Sequence, residues 1–172
     1  MSPSADQHVA PRFICDAMCG GLARWLRAAG YDTSYTPDID DGELVRQAES
    51  ESRVLISSDN QIFERRLLRD GRVRGLALPR GLTLLKQLEY VVRRLRLRRA
   101  TPRCMKCNGA LTTRARADVA DRVPARSLLW ATEFFECGGC RGVFWNGTHW
   151  RRIERVLECL GEWGQAGEEA AV

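Results

Sequence analysis

Two groups of side chains in this sequence have the types and spacing to do chemistry. One is a pair of Cys-x-x-Cys turns, Cys104-Met105-Lys106-Cys107 and Cys137-Gly138-Gly139-Cys140. Each turn sets two thiolates about one tetrahedral edge apart, so together they offer four sulfurs to one structural zinc, a closed site with no position left for catalysis. Twenty-nine residues separate the pairs. That exceeds the usual spacing of about 15 to 20, so the excursion must be a sizeable loop carrying 117–123 and 128–130. Four unrelated buried cysteines or a redox dithiol are the alternatives, but the segment has too few core residues to stand without a staple. Cys15 and Cys159 read as small core residues, and Cys19 follows closely behind an acidic strand end.

The other group is acidic. Asp16, Asp41 and Asp59 fall at or just past the carboxyl ends of inferred strands, or at the start of a helix. That is the edge where open parallel sheets bind ligands. Carboxylates converging there without obvious lysine or arginine partners would repel one another unless a divalent cation lay between them. The arrangement predicts a Mg²⁺ or Mn²⁺ site, which suits phosphoryl chemistry. Asp38 and Asp40 share the acidic turn with Asp41 and are second choices. Aspartates also cap helices and make turns, and that plainer role stands beside the metal. Ser57 and Ser58 could orient a water or cap the next helix. His8 lies in a polar leader and His149 begins the last helix, where packing or capping is the simpler role than ligand or general acid.

The elements that must position these groups follow from periodicity. Residues 12–16 read as a short buried strand ending on a carboxylate. A helix follows, with Leu22, Trp25, Leu26 and Ala29 at i, i+3, i+4 and i+7 and Gly30 as its C-terminal cap. A strand at 32–36 ends at Pro37, and Asp40 or Asp41 caps a second helix whose apolar face is Leu44, Val45 and Ala48. Residues 53–57 form the clearest strand. A helix at 61–69, a strand at 73–78 and a helix at 82–97 with Leu84, Leu85, Leu88, Val91, Val92 and Leu95 on its buried side complete the pattern. Alternation of this kind predicts an α/β fold with a parallel sheet covered by helices. Short strands at 133–136 and 142–145 flank the second cysteine turn, and a helix spans about 150–160. The domains divide as leader 1–11, α/β domain 12–100, cysteine unit 101–160 and a frayed tail 161–172.

Composition bounds the rest. The chain has 172 residues, enough for one ordinary domain and a small appendage. It is 44% hydrophobic and 28% charged, which excludes a disordered or fibrous chain. The first eleven residues have no apolar run, and no window approaches the roughly 18 apolar residues of a membrane span. A cytoplasmic location is expected, where thiols stay reduced and metal binding suits the paired cysteines. The net charge is +5, and Lys86 and Lys106 are the only lysines, so the positive charge is almost all guanidinium. It is concentrated: Arg93, Arg94, Arg96, Arg98, Arg99, Arg103 and Lys106 fall within fourteen residues that contain no acid. Such a run could seat a nucleic-acid backbone, with Trp145 and Trp150 stacking exposed bases, although a solvated helix face and core tryptophans would look the same.

Several blocks resemble the Mut-seven C-terminal ribonuclease domain, a PIN-like nuclease fused to a zinc ribbon. They are Phe13-Ile14-Cys15-Asp16-Ala17-Met18, the Leu-Ala-Arg-Trp-Leu-Arg block at 22–27 with Gly30-Tyr31-Asp32, Asp38 to Leu44, and Arg53 to Asp59. In the ribbon, Pro102-Arg103-Cys104, Asp121-Arg122-Val123-Pro124 and Gly147-Thr148-His149-Trp150 match as well. The resemblance covers about residues 12–158. It implies a metal-dependent endoribonuclease in which Asp16, Asp41 and Asp59 hold one or two Mg²⁺ or Mn²⁺ ions. A metal-activated water then hydrolyses the RNA phosphodiester in line, leaving a 5′-phosphate and a 3′-hydroxyl. Two departures concern the site. Met18-Cys19-Gly20-Gly21-Leu22 lacks the lysine usual before that leucine, and Ser57-Ser58-Asp59 stands where Thr-Arg-Asp is common. Losing both basic groups weakens the grip on phosphate. The alternatives are a non-catalytic RNA-binding module, associated with ribosome or tRNA, and a toxin-type ribonuclease.

Overall fold

A computed structural model describes residues 10–160; the expected leader and tail, with His8, lie almost wholly outside them. The first half follows the expected alternation. Strands β1 (Phe13–Cys15), β2 (Thr33–Tyr35), β3 (Val54–Ser57) and β4 (Gly75–Ala77) form a parallel sheet in the order β2-β1-β3-β4. Helices α1 (Gly20–Ala28), α2 (Asp41–Ser50), the single turn α3 (Arg66–Arg69) and α4 (Leu84–Arg94) flank it. Side chains alternate across the two faces. Phe13, Cys15, Val54 and Ile56 pack with Leu22 and Leu26 of α1 and Leu88, Val91 and Val92 of α4. Ile14 and Leu55 face the other way, onto Leu44, Val45 and Ala48 of α2 and onto Ile62. A sheet buried on both faces needs strands that are apolar along their length, as β1 is and as β3 is up to its last residue, Ser57.

Boundaries differ from expectation where local chemistry intervenes. The helix expected at 61–69 is a 3-10 turn, Asn60–Glu64, followed by α3. Arg65 between them is extended (φ −66°, ψ 139°), while the Asp59 side chain accepts from the Gln61 amide and starts the tighter turn. α4 stops at Arg94 because Arg96 turns left-handed (φ 49°), which returns Leu97 to the core. At its other end Leu84 and Leu85 are exposed, not buried as the periodicity predicts. Gly30 has φ 103°, and a Cβ there would meet the Ala100 backbone at 2.6 Å. Only glycine allows the return of the chain past α1.

The second half holds strands β5 (Leu111–Arg114), β6 (Phe134–Cys137) and β7 (Val143–Trp145) in an antiparallel sheet, order β5-β6-β7. The excursion between the cysteine pairs is thus more than a loop: it carries β5, a 3-10 turn Arg116–Val119 and the short helix α5 (Ala125–Leu128). Val119, Val123, Ala131 and Phe134 make a small core. On β6, buried Glu136 receives Arg114 at 2.8 Å, Arg122 at 2.9 Å and Arg141 at 3.2 Å. Hydrogen bonds from Arg122 and Arg114 hold its carboxyl below the usual range. The last helix, α6 (Thr148–Cys159), lays Ile153 and Leu157 into the core of the parallel sheet. Cys159 is exposed, against the expectation of a core residue, whereas Cys15 and Cys19 are buried.

Candidate active site and metal centre

The four paired cysteines converge. Their sulfurs all lie within 4.8 Å of one another, and no other group of three or more Cys, His, Asp or Glu among the described residues does so. Cys104 and Cys140 Sγ are 3.7 Å apart and Cys107 and Cys137 Sγ 3.3 Å. With Zn–S bonds near 2.3 Å, a tetrahedral edge is about 3.8 Å, so the donor set fits one zinc. The two turns are built alike. Asn108 and Arg141, each following its second cysteine, adopt left-handed φ of 69° and 58°. Their amides return to the carbonyls of Cys104 and Cys137. Gly139 and Cys140 amides point at Cys137 Sγ (3.4 and 3.5 Å), as a thiolate requires. A Cβ on Gly109 would fall 2.6 Å from Cys137 Sγ, so only glycine leaves the sulfurs room. Without metal, burial pushes the Cys104 thiol up to about 12.

This centre is tied to the parallel sheet by side chains the sequence did not single out. Buried Arg27 of α1 donates Nε to the Thr33 carbonyl (2.9 Å) and Nη1 to the carbonyls of Met105 and Lys106 (3.1 and 3.2 Å), inside the first cysteine turn. Asn108 accepts from the Thr33 amide (3.1 Å) and donates to Asp32 (2.7 Å). Arg53 donates to the same carboxylate at 2.6 Å. Burial would raise the Asp32 carboxyl, but the hydrogen bonds from Arg53 and Asn108 outweigh it and hold it below its ordinary value.

The carboxylates sit at the carboxyl edge of the parallel sheet. In the order β2-β1-β3-β4 the chain leaves β1 toward β2 and crosses back to β3, so the crevice lies between β1 and β3. Asp16 follows β1 and is buried; Ser57 ends β3 and is fully buried. Ser57 Oγ donates to Asp16 Oδ2 at 2.6 Å and accepts from the Asp59 amide at 2.9 Å. One hydroxyl therefore orients the Asp16 carboxylate and anchors the Asp59 backbone, while the Asp59 carboxylate itself accepts from the Gln61 amide at 2.9 Å. Neither Asp16 nor Asp59 has an ion-pair partner among the described residues. Asp41 does: Arg65 lies 3.3 Å from it, a partner that the sequence reading did not anticipate. Asp40 caps α2 through the Gly42 and Glu43 amides (2.8 and 3.3 Å), and Asp38 is exposed with φ 54°. Burial, then the nearby Asp16 charge, pushes the Cys19 thiol up, so it is a neutral packing group.

The basic run is divided. Arg93 pairs with Glu89 at 3.2 Å and Arg99 with Glu154 at 2.6 Å. Arg103 donates to Asn108. Arg94, Arg96, Arg98 and Lys106 are exposed. Trp145 packs partly against the small core and Trp150 stacks on Phe135 at 5.9 Å. His149 is exposed at the start of α6.

A parallel α/β sheet flanked by helices, joined to four clustered cysteines and a C-terminal helix, defines an α/β protein with a zinc-ribbon unit. The Mut7-C RNAse domain model matches residues 11–157, and the chain belongs to that family. Membership gives it a ribonuclease-like function, with RNA as the substrate class. No curated protein and no solved structure matches the chain.

Proposed function

We propose that the protein is a Mg²⁺- or Mn²⁺-dependent endoribonuclease with its centre at the β1/β3 crevice. The observation that carries this is Asp16, a buried carboxylate at the sheet's switch point whose only side-chain donor among the described residues is a serine hydroxyl. A buried carboxylate is costly without a compensating cation, and the donor chemistry fits a hard divalent one. Asp16 and Asp59 would hold the ion, with Ser57 fixing the Asp16 carboxylate. Asp41 would complete the set. Its contact with Arg65 is a half-exposed pair, worth at most about 1 kcal/mol, so release costs little. Asp40, committed to its cap, and Asp38 rank behind. A cation bound there lowers the pKa of water and offsets charge on the scissile phosphate. Arg94, Arg96, Arg98 and Lys106 would hold flanking phosphates, with Arg93, Arg99 and Arg103 nearby. The nuclease domain would span 12–100 and the ribbon with its helix 101–160, working in the reducing cytoplasm.

The test is cleavage of unstructured RNA by zinc-loaded protein with Mg²⁺ or Mn²⁺ against buffer depleted of both, followed by end-group analysis. Metal-dependent products with 5′-phosphates, lost in Asp16→Asn and Asp59→Asn, support the proposal. Equal activity in both variants points to a contaminating nuclease and sinks it. RNA binding with no cleavage under any metal would favour the non-catalytic module.

A further inference from the structure

Two cavities meet beside α1. One, of about 400 Å³, lies between the cysteine unit, α6 and α1, with Phe144, Trp145, Trp150 and Trp130 among its walls. The second, of about 720 Å³ and wider, begins at Ala17, next to Asp16, and passes Gly20, Gly21 and Tyr35. Arg24, Met105 and Lys106 line both, so the two are neighbours that share a wall. Arg103 and His149 add further basic groups to the first, and no carboxylate among the described residues lines either. The aromatic cavity falls within the size of pockets that bury small organic ligands, about 300 to 1,000 Å³.

The ribbon's own packing accounts for Trp145 and Trp150 among these walls, but not for Trp130. Its core closes on Val119, Val123, Ala131 and Phe134, with Leu128, Val143 and Trp145 against it. Trp130 belongs to no core cluster, is 42% exposed, and lies over Gly147, where a Cβ would come within 3.1 Å of its ring. An indole held at the mouth of an aromatic cavity, with guanidinium and ammonium groups at its junction with a second basic cavity, matches a flat π-system joined to a phosphate. Stacking is tolerant of sequence, since every base has a π-face.

We infer that the aromatic cavity seats one unpaired RNA base, its phosphate on Arg24 and Lys106, and that the strand continues through the second cavity to the Asp16 edge. The direction of the strand toward a scissile phosphate rests on the nuclease proposal above; the base site does not. The preferred substrate is therefore single-stranded or looped RNA with a splayed base close to the cut. A duplex keeps its bases stacked and cannot fill the cavity.

The test uses zinc-loaded, full-length Asp16→Asn protein, so that RNA is bound and not consumed, and three labelled probes: a short single-stranded RNA, an abasic strand of equal length and a blunt duplex. Adding Trp130→Ala weakens binding of the single strand by about 5- to 150-fold, the equivalent of one stacked base, and changes the abasic strand and duplex by less than twofold. Trp130→Phe restores most of the loss. Arg24→Gln weakens single and abasic strands alike. Independently of any variant, the single strand quenches tryptophan fluorescence and the abasic strand does not. Binding of the single strand within twofold after Trp130→Ala, or an equal loss on the abasic strand, overturns the inference, as does absence of RNA binding. Cleavage by the wild type with KM untouched by Trp130→Ala removes the base site and keeps the nuclease. Base-dependent binding with no wild-type cleavage does the reverse.

Discussion

Arg27→Met removes the guanidinium that joins α1 to the first cysteine turn while keeping most of the apolar stem. Arg27 is 5% exposed and its three hydrogen bonds go to the carbonyls of Thr33, Met105 and Lys106. Charge-assisted bonds contribute about 1.5 to 3 kcal/mol each. Part is regained because the variant no longer buries a cation and water can reach the turn, so a net loss of about 2 to 4 kcal/mol is expected. For a chain of this size each kcal/mol lowers Tm by about 2 to 4 °C, so Tm should fall by roughly 5 to 15 °C. The assay is thermal unfolding of zinc-loaded protein by circular dichroism, with zinc release to a colorimetric chelator measured beside it. The Met105 and Lys106 carbonyls lie between two zinc ligands, so the variant should also release zinc faster. Arg27→Lys, whose ammonium cannot span three acceptors as a fork does, should fall between the two. A Tm within about 2 °C of wild type, less than a single kcal/mol is expected to produce, with unchanged zinc release would show that the junction is held by packing alone.

Other perturbations have equally definite outcomes. Gly30→Ala forces an alanine to φ 103° and its Cβ against the Ala100 backbone; urea unfolding should show a loss of about 1 to 3 kcal/mol or more. Asp32 has a folded pKa held below its unfolded value. Its contribution is fully present above the unfolded value of about 3.9 and is lost as pH falls through the lower folded one. The stability advantage of wild type over Asp32→Asn should therefore shrink on acidification from about pH 5 to 3. Neutralising Arg94, Arg96 and Arg98 together should flatten the dependence of log K on log salt for single-stranded RNA by about 2, at roughly 0.7 per phosphate contact. The same change at Arg93 and Arg99, already paired with Glu89 and Glu154, should flatten it less.

Much of the fold was legible because it rests on short-range pattern. The apolar runs of β1 and β3, the i, i+3, i+4 face of α1 and the glycine at 30 each specify their element locally, and the two Cys-x-x-Cys turns announced the cluster. What escaped depends on contacts distant in sequence. β5 is a polar strand, Leu-Thr-Thr-Arg, that exists because β6 pairs with it, and its own residues carry no alternation strong enough to announce it. The division of 61–69 depends on Arg65 leaving the helix, and the exposure of Leu84 and Leu85 on the absence of a covering element among the described residues. Asp16 and Asp59 were visible as strand-end acids, whereas the Ser57 bridge between the Asp16 carboxylate and the Asp59 amide, the Arg65 partner of Asp41, the Arg27 anchor and the placing of Trp130 and Arg24 on the walls of one cavity are matters of tertiary geometry. Arg27 ends the Leu-Ala-Arg-Trp-Leu-Arg block at 22–27, but nothing in its spacing distinguishes a buried anchor from a solvated helix face.

The central claim, an acid-built metal centre at the β1/β3 crevice, is tested most directly by single-turnover cleavage of labelled single-stranded RNA with Mn²⁺, comparing wild type with Asp16→Asn at matched zinc content and matched RNA affinity. A fall of about 10²- to 10³-fold in rate, the scale of losing a principal electrostatic stabiliser, with binding unchanged, is the predicted result. Asp16→Asn protein that binds RNA and cleaves it at the wild-type rate would contradict the account.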